Sequence, residues 1–532
     1  MYKPAPRRTK KTDIVRSRTG CRNCRERKTK CDEQKPTCGT CVRLGKVCES
    51  SKPDFKFRMV DRPARLDFIR SLQHTERDVF YSTYWEDICL PALHPIFRSA
   101  FCLASSNRMM NDAILALAAC NLSRLYAEKR NISEKNAPAH SPSLTHQTRS
   151  YWYYSSAIRA FTSLQEVDYR YNATIALTVL SVFAHLESSM GNFEGFYCHS
   201  KGLSALLTDF EEIAGDPVAK SLLTSWMQIR FVVWWARAYF CSLDVLRRLP
   251  SVPLPKLIEG SFMSSLYERR VVVLSIMCES HRLNCNAALK HWSPQKEYND
   301  WKDRGQYPID DHNDELNHYI LLAEEARKLD EWLLHLPPLE QPQPIDHDVN
   351  DTPISFQSHD AALNYAYYAL ARIMQCTDGL RHLSSRSNPN SNKEEPWIRL
   401  LLHIAKETKP HVSASRNSYT IGFSGLLLAA LLRCQNLSLS FEIQNWLQNL
   451  ESIQPTEEGA FPVYQAVGVA KAINWQRMMG RDIYSVTQPV DDDGIPKVTA
   501  YNSQSIDRML LHGRCQLSGK FFTECISIEL YG

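Results

Sequence analysis

The stretch CRNCRERKTKCDEQKPTCGTCVRLGKVC, residues 21–48, carries six cysteines, Cys21, Cys24, Cys31, Cys38, Cys41 and Cys48, spaced C-x2-C-x6-C-x6-C-x2-C-x6-C. Each half reads C-x2-C-x6-C, and corresponding members lie 17 residues apart. Three thiolates cannot close a tetrahedral zinc site, which takes four ligands. Two zinc ions need eight ligand positions, and six sulfurs fill them if two of the six bridge both metals. The spacing therefore predicts one binuclear thiolate cluster with two Zn2+ ions. Zinc favours soft thiolates, and a closed sulfur shell leaves no position for an activated water, so the metal is expected to be structural. A segment this short cannot bury enough apolar surface to hold itself together, and stripping the zinc should unfold it.

Other readings of the cysteines fit less well. A disulfide framework belongs to secreted chains, and the opening MYKPAPRRTKKTD holds no apolar run of the kind a secretory leader needs. A reducing compartment is the expected setting. A C2H2 finger needs two histidines, yet the nearest, His74, lies 26 residues past Cys48. A four-cysteine ribbon would leave Cys31 and Cys48 without a role.

Charge separates the same segment from the rest of the chain. Residues 1–50 hold 15 Lys and Arg against 5 Asp and Glu, a charge of +10, while the other 482 residues hold 48 against 53, or −5. Two zinc ions with six thiolates carry a net negative charge, leaving the loaded head at about +8. A basic head before a mildly acidic body is the asymmetry of a polyanion-binding module on a soluble partner domain.

Between Cys24 and Cys31 every position except Glu26 and Thr29 is Lys or Arg. With this run, with Lys35-Pro36 before the fourth cysteine and with all six cysteines in register, the segment closely resembles the zinc binuclear cluster (Zn2Cys6) DNA-binding domain of fungal transcription factors. The resemblance implies that Cys21 and Cys38 are the bridging sulfurs. It also implies that the first helix docks in the major groove of double-stranded DNA and reads CGG-like triplets. Lys28 would then contact a base, with Arg27 beside it, Arg25 on phosphate and Lys30 completing the basic run; guanine O6 and N7 are the acceptors such donors fit best. A nuclear transcription regulator follows, with the transcription machinery or co-regulators as partners and metabolic or secondary-metabolite genes as targets. Arg7-Arg8-Thr9-Lys10-Lys11 and Arg25 to Lys30 together also resemble a split nuclear import signal. Sustained heptads are missing between residues 50 and 90, where Pro53 and Pro63 interrupt, so a homodimer stays an open alternative to a monomer.

Residues 1–20 read as a basic disordered arm, 21–48 as the Zn2Cys6 module and 49–65 as a linker. From Leu66 the pattern turns helical. Leu66, Ile69 and Leu72 recur at three-residue spacing, and Ala113–Leu125 and Tyr171–Leu186 are apolar on nearly every face. Further helices are expected near 151–165, 198–210, 218–243, 262–290, 314–335, 358–377, 396–410, 421–434, 438–452 and 462–478, with strand-like alternation nowhere sustained. Breaks fall at 131–150, 292–312 and the proline-rich 336–355. The expected fold is a small metal-stabilised module followed by a large all-α domain over 66–480, with 481–532 as a C-terminal tail. No stretch reaches the 18 to 20 or so apolar residues of a membrane span, Asn417–Leu432 included, so no membrane partner is expected.

Phe196–Leu207, FYCHSKGLSALL, resembles an element of the all-α regulatory domain that follows the zinc cluster in many fungal activators, and Tyr151-Trp152-Tyr153-Tyr154 fits its helix order. His199 and Gly202 would share one helix face there, Gly202 permitting close helix contact, and a packed structural pair is the favoured role over ligand sensing. Cys278, His281 and Cys285 fall at i, i+3 and i+7 of a helix, a spacing that could ligate metal, but no fourth ligand is evident and buried core residues are the expectation. Asp491-Asp492-Asp493 is bracketed by Pro489 and Pro496 and reads as a solvated loop; Asp310-Asp311 with Asp314-Glu315 reads as an exposed helix start. No Gly-rich phosphate loop, H-E-x-x-H or G-x-S-x-G motif supports catalysis. The competing reading is an all-α enzyme or ligand-binding protein with an appended zinc module.

Overall fold

The computed structural model describes residues 20–34, 36–48, 74–104, 107–125, 127–129, 140–164, 173–208, 217–239, 241–259, 263–292, 311–344, 354–376, 380, 383, 393–453, 457–459, 461–489 and 508–528. Residues 1–19 of the expected arm, the linker, Leu66, Ile69, Leu72 and Asp491–Asp493 lie outside them. The chain divides into two units, 1–73 and 74–532. In the first, two short helices, α1 (Arg22–Glu26) and α2 (Gly39–Arg43), open the two equivalent cysteine halves.

The second unit is mostly helical. Its long elements are α3 (His74–Tyr84), α4 (Ile96–Ala104), α5 (Arg108–Leu125), α6 (Leu144–Thr162), α7 (Ala173–Ser189), α8 (Phe193–Thr208), α9 (Pro217–Tyr239), α10 (Leu266–Leu289), α11 (Asp311–Leu334), α12 (His359–Gln375), α13 (Glu395–Glu407), α14 (Phe423–Arg433), α15 (Leu437–Ser452) and α16 (Val463–Met478). Helices α5 with α6, α7 with α8, α10 with α12, and α15 with α16 make the broadest packing pairs. Three of these helices start on a side-chain cap. Ser265, Ser358 and Asn436 accept the amides of Glu268, Ala361 and Leu439 at the starts of α10, α12 and α15, supplying acceptors that a first helical turn lacks. Helix α13 buries Ile398, Leu401, Leu402 and Ala405 on one stripe, whereas α7 and α14 are buried almost all round. One continuous apolar core joins these helices. Among the described residues no helix is long and apolar enough to cross a membrane.

The carboxyl end departs from the sequence reading. Residues placed in a tail form a three-stranded antiparallel sheet, β1 (Arg481–Thr487), β2 (Arg508–Cys515) and β3 (Phe521–Ser527), in that spatial order. The Trp292 indole donates to the Phe522 carbonyl at 2.9 Å, the Gln488 amide donates to the Cys241 carbonyl at 2.9 Å, and Ile528 packs on Gly468 so closely that an added Cβ would lie 2.3 Å from it. The sheet is thus part of the helical unit's core. Its strands escaped the reading because alternation is weak: β2 buries consecutive Leu511, His512 and Gly513, and a register irregularity interrupts β1 between Ile483 and Ser485. Helix α6 also begins at Leu144, inside the expected break at 131–150.

Candidate metal centre and nucleic-acid interface

The six cysteine side chains converge, all free of disulfide bonds. Their sulfurs form two four-membered groups, Cys21, Cys24, Cys31 and Cys38, then Cys21, Cys38, Cys41 and Cys48, each with its sulfurs within 4.8 Å of one another. Cys21 and Cys38 belong to both groups. Sulfur separations are 3.7 Å for Cys21 to Cys38, 3.6 Å for Cys21 to Cys41 and 3.7 Å for Cys24 to Cys38. Those are close to the roughly 3.8 Å edge of a tetrahedron built on Zn–S bonds of about 2.3 Å, and far from the roughly 2.05 Å of a disulfide. The donor set therefore fits zinc.

Local backbone organises the sulfurs. The Cys41 amide donates to the Cys38 sulfur at 3.4 Å, across the first turn of α2, and the Cys48 sulfur accepts the Cys38 amide at 3.3 Å. The Cys24 amide holds the Cys21 thiol below its ordinary value, and the Cys41 amide does the same for Cys38, because hydrogen bonds to the thiolate favour it. Desolvation instead pushes the Cys24 thiol up to about 12 and raises Cys41. The two sulfurs common to both groups are thus the two whose thiolate form a helix-start amide favours. Asp32 accepts the Gly39 amide at 2.9 Å, and Asn23 donates to the Val47 carbonyl at 2.7 Å, tying the first half to the end of the second.

Both helices end in the same way. The Thr29 amide reaches the Cys24 carbonyl at 3.0 Å, and the Lys46 amide reaches the Cys41 carbonyl at 3.0 Å. Each six-to-one bond closes over a residue in the left-handed region: Lys28 at φ 54° in the first half, Gly45 at φ 58° in the second. This is the Schellman cap, whose left-handed position normally falls to glycine. Lysine there sustains a steric penalty of about 1 kcal/mol or more.

Of the basic residues singled out in the sequence, Arg27, Lys28 and Lys30 are exposed around this turn. Arg25 lies on α1, its side chain outside those described. Arg22 pairs with Glu26 at 2.9 Å on the exposed face, an interaction of little energetic weight. The left-handed backbone at Lys28 escaped the sequence reading. The 17-residue repeat was the available signal, since it sets Lys28 opposite Gly45.

In the second unit, Cys278, His281 and Cys285 do not gather a metal-binding group among the described residues. The Cys285 sulfur lies 3.5 Å from His281 Nε2, and burial pulls the imidazole down to about 3. His199 sits 2.6 Å from the Tyr154 hydroxyl, which donates to Glu187 at 2.5 Å. Packing of α6, α7 and α8 accounts for these contacts. An added Cβ on Gly202 would meet Leu180 at an ordinary 3.7 Å, so close approach does not depend on that glycine; at Gly195 it would lie 2.5 Å from the Glu187 carboxyl carbon.

Residues 19–56 match the family model of the fungal Zn(2)-Cys(6) binuclear cluster domain. A Zn(2)-C6 fungal-type transcription factor of Gibberella zeae is 51% identical over 49 residues, 9% of this chain and 9% of that protein. Transcriptional regulatory protein pro1 of Neurospora crassa is 55% identical over 38 residues, 7% of this chain and 6% of that protein. The Zn(2)-C6 fungal-type transcription factor afumD of Aspergillus fumigatus is 27% identical over 136 residues, 22% of this chain and 36% of that protein. These relatives are matched over well under two thirds of their own length. No solved structure matches the chain. The chain carries a Zn2Cys6 fungal-type zinc-cluster domain, followed by a large, mostly helical remainder.

Proposed function

We propose that the chain is a sequence-specific DNA-binding regulator of transcription, acting in the nucleus. The observation that carries the reading is the pair of four-sulfur groups sharing Cys21 and Cys38, with the basic turn Arg27 to Lys30 exposed beside them. Two zinc ions, when bound, would lock the two halves through the shared sulfurs and neutralise thiolate charge. The chain's own residues do the rest. Helix α1 enters the major groove, Lys28 donates to guanine O6 or N7 of a CGG-like triplet, and Arg25, Arg27 and Lys30 hold phosphates. Phosphate contacts set affinity and its salt dependence, and the base contact sets preference. The relatives' names, transcription factor and regulatory protein, support the same reading. The helical body is proposed as the regulatory domain that recruits co-regulators or joins two copies, at promoters of metabolic or secondary-metabolite genes.

The test is binding of the zinc-loaded full chain to duplexes that differ only in one CGG triplet. The account expects a preference for the intact triplet of about ten-fold or more, abolished by a chelator and restored by zinc. Equal binding to both duplexes would overturn it.

A further inference from the structure

A cavity lies in the helical unit, remote in sequence from the cysteines. It lies where the end of α9, helix α10, the end of α14 and strand β1 meet, lined by Tyr239, His281, Cys285, Arg433 and Ser485 among otherwise mainly apolar side chains. The empty space, counted with its mouth, is 400 Å3. Its enclosed depth holds about one water-sized group.

Two polar atoms of the lining are unsatisfied. The Tyr239 hydroxyl and His281 Nδ1 are buried with no hydrogen-bond partner among the described residues, and both side chains are at least nine-tenths buried, 4% and 5% exposed. His281 stacks on Tyr239 with centroids 5.4 Å apart, which fixes both rings at the cavity wall. Arg433 is half-buried and has neither an ion pair nor a hydrogen bond among the described residues, and partial desolvation lowers the guanidinium's proton affinity. Glu394 is felt by it only at a distance. Each buried polar group left without a partner is costly, and a half-buried guanidinium keeps its donors available to an acceptor in the mouth. One planar cation, a phenol donor and apolar walls together complement a single negative charge on a flat group. A dianion such as a phosphate monoester would need a second cation, and the lining offers none.

We propose that this cavity binds a monocarboxylate with an apolar body, its carboxylate seated on the Arg433 fork and accepting from Tyr239, and its hydrocarbon part in the mouth. Arginine suits a carboxylate better than lysine because its fork donates two parallel hydrogen bonds. The site is independent of the DNA reading and stands or falls separately.

The test is a fluorescence titration of the zinc-loaded full chain with sodium propionate and sodium benzoate at ionic strength held constant with sodium chloride. The first tryptophan of the chain is Trp85, so the signal reports only on the helical unit, and Trp234 and Trp235 lie against His281. The expected result is a saturable change for the carboxylates that chloride alone does not give, tighter for benzoate. Arg433→Gln should abolish it and Tyr239→Phe weaken it about ten-fold. Arg433→Lys, which keeps the charge and guards against a folding defect in the glutamine variant, should weaken it by at least as much. No saturable change in the wild-type chain, the same response to chloride, or an unaltered response in Arg433→Gln or Arg433→Lys would overturn the proposal.

Discussion

The two halves of the cysteine module have one backbone and differ in the residues they expose. Each opens a short helix on a sulfur shared by both four-sulfur groups, and each ends it with the same six-to-one hydrogen bond, Thr29 to Cys24 and Lys46 to Cys41. The difference lies at the left-handed residue: Gly45, which reaches that conformation without penalty, against Lys28, which does not. Around it the first half shows Arg27, Lys28 and Lys30, while the second shows exposed Val42, Leu44 and Val47. Glycine takes this chain reversal without strain, whereas the lysine at the equivalent position sustains it.

The largest expected effect comes from breaking the sulfurs on which the halves depend jointly. Cys38→Ser removes a ligand from both four-sulfur groups and Cys48→Ser from one, so zinc content should fall to near zero in the first and remain partly occupied in the second, measured on the purified chain. Equal loss from the two would break the shared-sulfur geometry. Next comes the proposed asymmetry in DNA reading. Lys28→Ala should lower preference for the intact triplet by about ten-fold or more, whereas Lys46→Ala, the next cation along the second half's turn, should leave preference unchanged in competition binding. Arg25→Ala should weaken all duplexes alike and reduce the salt slope by about one.

The smallest effect concerns the caps themselves. Lys28→Gly should stabilise the zinc-loaded module by about 1 kcal/mol while weakening DNA binding, and Gly45→Lys should destabilise it by about as much, both read from chelator concentrations at half-unfolding. Opposite signs at equivalent positions would sharpen the comparison; a loss of stability in Lys28→Gly would contradict the account of that turn.

Much of this was legible beforehand because cysteine spacing is a count and zinc's coordination number is fixed. Six sulfurs in two equal halves already demanded sharing. Most helices between residues 151 and 478 were readable because their apolar faces recur at helical spacing, α13 with Ile398, Leu401 and Leu402 being the clearest, whereas the first turns of α6 fell in an expected break. Three things were not legible. The carboxyl-terminal sheet was missed because β1 and β2 bury residues on both faces. The buried Glu458, which accepts the amides of Phe423 and Ser424 at the start of α14 together with Ser413 and Asn417, comes from a short two-residue strand without local signal. The cavity at Arg433 joins residues from Tyr239 to Ser485, and only tertiary packing brings them together.

Native mass spectrometry of the full chain, purified with zinc under reducing conditions, tests the central claim most directly. The account predicts a mass increase of two zinc ions, with all six head thiols deprotonated and none oxidised. A single ion per chain, no ion, or loss of hydrogen mass matching disulfides among Cys21, Cys24, Cys31, Cys38, Cys41 and Cys48 would contradict it.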